Sequence, residues 1–201
     1  MNELGGNAIV ISVENLNQTF LKYPVTVEDK GWIYGVWYCS TPWRKAKLYG
    51  EYPATFLKRA LALFPDAVDI LHAPSGTLES VSGITLDLVA DDVRHPDYVA
   101  CCSNMPFRNG SFDLILSDPP YSKKDSAIYG CPPFPMNRFV KEAHRVLRPG
   151  GYLGVLHVYY PSYRRKDWKL VGLIAIITGF MRMTRIFSIF ERKITVETKD
   201  V

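Results

Sequence analysis

The sequence contains no apolar run long enough to cross a membrane. Its longest apolar run, residues 170–180, includes two glycines and is far shorter than the ~20 residues that a membrane-spanning helix needs. The N-terminus has no basic segment ahead of its apolar residues, so we do not expect a signal peptide. Hydrophobic residues make up 47% of the 201 residues, which is enough to form a core. We therefore expect a cytoplasmic protein with no membrane contact.

The four cysteines show neither zinc-binding spacing nor a disulfide framework. Cys101 and Cys102 are adjacent, an arrangement that suits neither kind of site. A free cysteine packs like a small hydrophobic side chain. We therefore expect reduced thiols and no metal.

The sequence also lacks the strong positive charge of a dedicated DNA-binding module, because its net charge is only +4. Basic residues nevertheless lie among aromatic residues in two places. Such mixing suits phosphate contact combined with base stacking, but a solvated loop has the same composition. The first cluster comprises Arg44, Lys45 and Lys47 with Trp37, Tyr38, Trp43 and Tyr49, and the second comprises Arg164, Arg165 and Lys166 with Tyr159, Tyr160 and Tyr163.

Short apolar segments alternate with amphipathic ones from residue 51 onward, and this pattern predicts an α/β domain. We expect a mostly parallel sheet with helices on both faces over residues 51–201, and an N-terminal extension, residues 1–50, packed on that core. The expected strands are residues 7–13, 31–39, 68–71, 84–88, 97–100, 112–116, 152–158 and 184–191, and the expected helices are residues 55–64, 136–147 and 167–178.

Ligands of such sheets bind beyond the carboxyl ends of the strands, near the point where the strand order reverses. Two turns, residues 72–76 and 118–121, follow strands at that edge. The second turn consists of Asp118, Pro119, Pro120 and Tyr121. The Asp118 carboxylate and the Pro119 carbonyl are acceptors for the two protons of an amino group, and Tyr121 could stack on a planar ring. A plain proline turn after a strand is the alternative interpretation.

The segment Ser117-Asp118-Pro119-Pro120-Tyr121 resembles motif IV of class I S-adenosylmethionine-dependent methyltransferases, in the form found in amino-methylating enzymes and especially N6-adenine methyltransferases. Residues 52–56, 104–113 and 146–151 are similar to other motifs of these enzymes and follow in the same order, so the resemblance covers roughly residues 52–192. It implies a Rossmann-like class I methyltransferase fold, S-adenosylmethionine as cofactor, and catalytic roles for Asp118, Pro119, Pro120 and Tyr121.

The resemblance also implies a set of cofactor-binding residues. The loop after the first core strand has a single glycine, with His72 where the family often has an aspartate. Asp87 is placed to accept the ribose hydroxyls. Cys101 occupies the acidic adenine-side position of the family, where the Cys102 amide could bond the adenine edge and Asp91 and Asp92 are nearby alternatives. The full set is Tyr52, Pro53, His72, Ala73, Pro74, Ser75, Gly76, Asp87, Cys101 and Cys102.

The leading hypothesis is methyl transfer to an amino nitrogen of a nucleic-acid base, with adenine N6 first and DNA or RNA as partner. The alternatives are a protein amide, a guanine amino group, a small molecule, or a non-catalytic scaffold derived from the fold. No room remains for a separate target-recognition domain. Recognition would then fall to residues 1–50, 123–134 or 162–167, or to a partner subunit or a second copy in a homodimer.

Overall fold

The computed structural model describes residues 9–27, 30–40, 52–78 and 83–194. These segments contain four helices and a nine-stranded sheet. The helices are α1 (Val13–Thr19), α2 (Phe56–Leu63), α3 (Lys123–Ile128) and α4 (Met136–Val146). The strands are β1 (Val25–Val27), β2 (Ile33–Tyr38), β3 (Ile70–His72), β4 (Ile84–Asp87), β5 (Tyr98–Val99), β6 (Phe112–Ser117), β7 (Leu147–His157), β8 (Trp168–Ile177) and β9 (Arg185–Arg192).

The sheet is mixed but mostly parallel, with the order β1-β2-β8-β9-β7-β6-β3-β4-β5. Five neighbouring pairs are parallel: β2·β8, β3·β4, β3·β6, β4·β5 and β6·β7. The three antiparallel pairs are β1·β2, β7·β9 and β8·β9. The described part of the N-terminal region thus adds two strands to the edge of the sheet.

Helices cover both faces of this sheet, as the sequence predicts. On one face, α1 and α2 bury Leu16, Phe56 and Leu63 in a core that also includes Leu114 of β6. On the other face, α4 buries an apolar stripe against Ile115 of the same strand. Neighbouring residues of β6 point to opposite faces, which is how a fully buried strand serves two cores.

The helix expected at residues 167–178 is wrong, because this segment forms strand β8. Its run of valine and isoleucine residues favours an extended backbone, since β-branched side chains lose rotamer freedom in a helix. The strand lies between β2 and β9 and pairs with both. Asp167, the first residue of the expected helix, forms an ion pair with Arg164. A buried strand of ten residues and an apolar helix have similar sequence patterns, and strand pairing decides between them.

The strand expected at residues 7–13 is also wrong where the structure describes it. Residues 9–12 form no strand, and helix α1 begins at Val13. Ser12 caps this helix, since its hydroxyl accepts a hydrogen bond from the Asn15 amide at 3.2 Å. Residues 7 and 8 lie outside the described residues. Helices α1 and α3 and strand β1 are short elements that the sequence pattern did not predict.

A buried carboxylate joins the strands that support the site. Asp113 of β6 accepts hydrogen bonds from the amides of Val68 and Asp69, at 3.2 and 3.0 Å, just before β3. Its other oxygen accepts from the guanidinium of Arg148 at the start of β7, and Arg148 also pairs with Asp69 at 2.6 Å. Asp113 therefore fixes β3, β6 and β7 relative to one another.

Within the described residues, no helix combines the length and the hydropathy that crossing a bilayer would require.

Candidate active site

Strands β3 and β6 are parallel neighbours at the point where the strand order reverses. The next strand after β3 is β4 on one side, whereas the next strand after β6 is β7 on the other. The two strands end at His72 and Ser117, and the Ala73 amide donates a hydrogen bond to the Leu116 carbonyl at 3.1 Å. The two turns singled out in the sequence therefore leave the sheet side by side, at the position where α/β sheets bind ligands.

A cleft of about 320 Å³ opens at this edge. It brings together five of the expected cofactor residues and two of the expected catalytic residues. The cofactor residues in its wall are Pro74, Gly76, Asp87, Cys101 and Cys102, and the catalytic residues are Asp118 and Pro120. Sequence positions more than forty residues apart thus meet around one cavity.

The cofactor loop after β3 is held in place by its own hydrogen bonds. The Ser75 amide donates to the Leu86 carbonyl at 3.0 Å, and the Gly76 amide donates to Asp87 Oδ2 at 2.9 Å. Asp87 Oδ1 accepts from the Val89 amide at 3.2 Å. Each oxygen of this buried carboxylate retains acceptor capacity beyond these bonds. Asp87 therefore has both the position and the free lone pairs to accept ribose hydroxyls.

Two hydroxyl groups in the same loop have hydrogen-bonding capacity to spare. Ser75 Oγ and Thr77 Oγ1 are buried and have no hydrogen-bond partner within the described part of the chain. Buried polar atoms normally find partners, so unsatisfied groups beside a cleft fit a ligand that supplies them. The loop, Asp87 and the Cys102 backbone together form a donor and acceptor set that suits the amino-acid, ribose and adenine parts of S-adenosylmethionine.

The adenine-side positions carry thiols in place of a carboxylate. Cys102 is buried, and desolvation raises the pKa of its thiol, so it is neutral. Cys101 Sγ lies 3.1 Å from Ser103 Oγ. The nearby Asp91 forms an ion pair with Arg94 at 2.5 Å, and the hydrogen bonds from Arg94 lower the Asp91 pKa to about 2. Asp91 is thus committed to a loop contact outside the cleft wall.

Asp118 lines the cleft, directly after β6. Its Oδ1 accepts a hydrogen bond from the Tyr121 hydroxyl, and its Oδ2 lies 3.6 Å from Arg185 Nη1. Burial raises the Asp118 pKa to about 6, while Arg185 and the Tyr121 hydrogen bond oppose that shift. The carboxylate is therefore ionised at neutral pH but close enough to its pKa to exchange a proton.

The Tyr121 ring, expected from the sequence to stack on a planar ring of the substrate, is packed against other side chains. The Arg185 guanidinium lies 5.2 Å from the centre of its ring, and His157 meets the ring edge-on at 5.0 Å. Its hydroxyl is held by Asp118. These contacts fix the Tyr121 ring beside the carboxylate.

Tyr52 and His72 lie behind Asp118 and do not line the cleft. The Tyr52 hydroxyl is 3.5 Å from His72 Nδ1. The Tyr52 pKa is raised by burial and by the charge of Asp118. Pro53 and Pro119 are buried as well, and Ala73 is covered by the core. The cofactor roles of Tyr52, Pro53, His72 and Ala73 stay predictions, as do the roles of the predicted residues that line the cleft.

The opposite wall of the cleft comes from residues 129–138, between α3 and α4. It presents Tyr129, Cys131, Pro132, Pro133 and Phe134. Arg94 crosses to this wall and donates to the Tyr129 carbonyl at 3.0 Å. Residues 123–134, one of the segments suggested for target recognition, begin with helix α3.

Sequence reasoning missed Arg94 and Arg185. Both are single arginines outside any motif, and both reach the site from a distant part of the chain. Two members of the first basic and aromatic cluster, Trp37 and Tyr38, belong to strand β2. Its other members, at residues 43–49, lie outside the described residues. In the second cluster, Tyr159 and Tyr160 are half exposed and Arg165 and Lys166 are exposed.

Comparison with known proteins gives one family match and several fold matches. Residues 80–155 match the family described as "Methyltransferase domain". No curated protein matches the sequence. A putative methyltransferase, yhhF, from Escherichia coli is 13% identical, with a TM-score of 0.48 over 76% of this chain and 93% of that chain. A possible histamine N-methyltransferase from Thermotoga maritima is 15% identical, with a TM-score of 0.43 over 69% and 87%.

The family match begins just before β4 and ends within β7, so it spans Asp87, Cys101, Cys102 and the whole turn from Asp118 to Tyr121. It agrees with the strand order and with the position of the cleft at the switch point. The chain has a Rossmann-like fold, and residues 80–155 of it are similar to a methyltransferase domain.

Proposed function

We propose that this protein transfers a methyl group from S-adenosylmethionine to an amino nitrogen of a nucleic-acid base, with adenine N6 favoured. One observation carries the proposal. Asp118 lines the same cleft as Pro74 and Gly76 of the cofactor loop and Asp87. An amino-group acceptor and a cofactor site therefore adjoin each other.

An exocyclic amino nitrogen is a weak nucleophile because its lone pair is delocalised into the ring. Asp118 and the Pro119 carbonyl are hydrogen-bond acceptors that can hold its two protons and favour a more tetrahedral nitrogen. The bound cofactor supplies an electrophilic methyl group on a sulfonium centre. Asp118 can then take up the proton that the methylated nitrogen releases, since its pKa is about 6.

The contacts of Asp118 explain how one carboxylate could serve both purposes. Arg185 keeps it ionised at neutral pH, while the Tyr121 hydroxyl occupies one oxygen and fixes the carboxylate plane. Each carboxylate oxygen has more than one acceptor site, so these partners leave room for an amino proton. In this proposal the Tyr121 ring, which contacts Arg185 and His157, helps to position the base through its hydrogen bond to Asp118.

A nucleic-acid substrate is supported by the surface close to the site. Arg138 lines the cleft, Arg185 pairs with Asp118, and the half-exposed Tyr159 contacts His157, which in turn contacts the Tyr121 ring. Phosphate contacts and base stacking use such side chains. In this proposal residues 51–201 are the catalytic domain, residues 1–50 are an extension of it, and the protein acts in the cytoplasm, alone or with a partner subunit.

The test offers the purified protein and methyl-labelled S-adenosylmethionine to DNA, transfer RNA and ribosomal RNA. Label should appear in at least one of them, and digestion to nucleosides should identify N6-methyladenine. Asp118→Asn keeps the shape of the side chain and should lose transfer, while the same change at exposed Asp66, Asp66→Asn, should behave like the native chain. Label that reaches only a protein or a small amine would overturn the nucleic-acid assignment and favour those substrates.

A further inference from the structure

The turn between β8 and β9 exposes two large apolar side chains side by side. Phe180 is 93% exposed and Met181 is 89% exposed, more than any other large hydrophobic side chain in the described residues. Single exposed apolar residues are common on protein surfaces. Two neighbours at the tip of a turn form a projecting apolar edge.

The backbone holds this edge in a defined shape. The Arg182 amide donates a hydrogen bond to the Gly179 carbonyl at 3.3 Å, which closes a tight turn around Phe180 and Met181. Met181 has a φ of 54°, in the left-handed region that non-glycine residues seldom adopt. Strands β8 and β9 are paired up to Ile176 and Arg185, so the turn stands on an anchored hairpin.

The turn lies at the same edge of the sheet as the active site. Three residues separate Met181 from Arg185, and the Arg185 guanidinium pairs with Asp118 at 3.6 Å. Strand β9 is separated from β6 by β7 alone, which is about 10 Å across the sheet. A ligand that places one group at Asp118 therefore lies within reach of the turn.

The charge near the turn favours a polyanion. Residues 178–186 contain no acidic residue, and of their two arginines Arg182 is exposed while Arg185 pairs with Asp118. An apolar tip beside an exposed cation suits nucleic acid, because the cation can contact a phosphate while the apolar tip contacts stacked bases. Proteins that distort duplexes use phenylalanine and methionine as wedges between base steps.

We propose that the Phe180–Met181 turn is a wedge that enters the base stack of a duplex beside the target nucleotide. The inference rests on the proposed function and names its substrate class, a double-stranded nucleic acid. A base inside a duplex must leave the stack before its amino group can reach Asp118. The wedge fills the space that the base leaves in the duplex. A single-stranded substrate does not require a wedge, because its base is not held in a duplex stack.

The experiment measures methyl transfer from labelled S-adenosylmethionine to one nucleotide sequence. That sequence is prepared as a duplex and as a single strand, in DNA and in RNA. The variant is the double substitution Phe180→Ser and Met181→Ser. Leu21→Ser is the matched control, because Leu21 is an 84% exposed apolar residue in the loop after α1. The conservative pair Phe180→Trp and Met181→Leu keeps an apolar tip.

The serine variant should lose about tenfold or more of its transfer to the duplex and less than about twofold of its transfer to single strands. Leu21→Ser and the conservative pair should match the native chain on both forms. Equal losses on the two forms, or no loss on the duplex, would overturn the wedge and leave the proposed function standing. Full duplex activity together with a smaller particle in size-exclusion chromatography would instead assign the turn to a contact between copies.

A native chain that labels neither form of DNA or RNA would remove the proposed function, and the wedge with it. The two failures are thus distinguishable, because single-stranded transfer tests the chemistry and the ratio of duplex to single-stranded transfer tests the wedge.

Discussion

At the scale of single residues, Asp118 sets the pH range in which the proposed reaction can proceed. Burial raises its pKa to about 6, so the carboxyl group is protonated below that pH and ionised above it. An acceptor for amino protons must be ionised. Methyl transfer should therefore rise with pH up to about 6 and then level off, falling roughly tenfold per unit below the midpoint. Initial rates between pH 5 and 8, at saturating cofactor, check this; a profile that is flat through pH 6 would contradict it.

Arg185 should control where that midpoint lies. Its guanidinium favours the ionised form of Asp118 and so lowers a pKa that burial raises. Arg185→Gln removes the charge and should move the acid limb of the rate profile to higher pH, while Arg185→Lys should restore most of the native midpoint. A purely structural role would lower the rate at every pH without moving the midpoint, so the pH profile separates the two roles.

At the scale of strands, the Asp113 contacts should be worth measurable stability. Asp113→Ala leaves the Val68 and Asp69 amides without their acceptor and Arg148 without one partner. Unpaired buried donors cost about 1–3 kcal/mol. We expect a loss of about 2 kcal/mol in the free energy of unfolding and a fall in Tm of roughly 4–8 °C. Urea titration and calorimetry test this, with exposed Asp92→Ala as control. A Tm within about 1 °C of the native value would show that the contacts contribute little.

The elements also show what the sequence could and could not predict. Strand β6 and helix α4 were predicted within two residues, because an isolated apolar run and a helical stripe ended by Pro149 and Gly150 each fit one structure. Strand β8 was predicted as a helix, because a long apolar segment fits both structures and only pairing with β2 and β9 decides. Helices α1 and α3 are too short to produce a periodic pattern.

Some residues of the candidate site could be predicted from the sequence, and others could not. Asp118 and Asp87 could be named because each follows an apolar strand, and parallel strands bring their carboxyl ends to one edge. Arg185 and Arg94 could not be named, because their roles depend on contacts across the fold. The tight packing of Tyr121 by Arg185 and His157 was likewise invisible in the sequence.

At the scale of the whole molecule, cofactor binding and catalysis should separate cleanly between the two walls of the cleft. Asp87 holds the cofactor loop through Gly76 and has acceptor sites left for the ribose, whereas Asp118 faces the cleft from the turn after β6. If the native protein binds S-adenosylmethionine, ligand at 100 times its Kd should add about 2.7 kcal/mol to the free energy of unfolding. For a chain of this length, that addition should raise Tm by roughly 5–10 °C.

Asp118→Asn should keep this ligand-induced rise in Tm and lose methyl transfer. Asp87→Ala should lose both, because the ribose acceptor and the support of the Gly76 amide disappear together. Thermal shift with and without S-adenosylmethionine, each referred to the ligand-free Tm of the same variant, separates binding from any change in stability. A ligand-induced rise in Tm of native size in Asp87→Ala would contradict the proposed role of Asp87 in cofactor binding. A lost rise in Asp118→Asn would place Asp118 in cofactor binding or in the fold, in place of the chemistry.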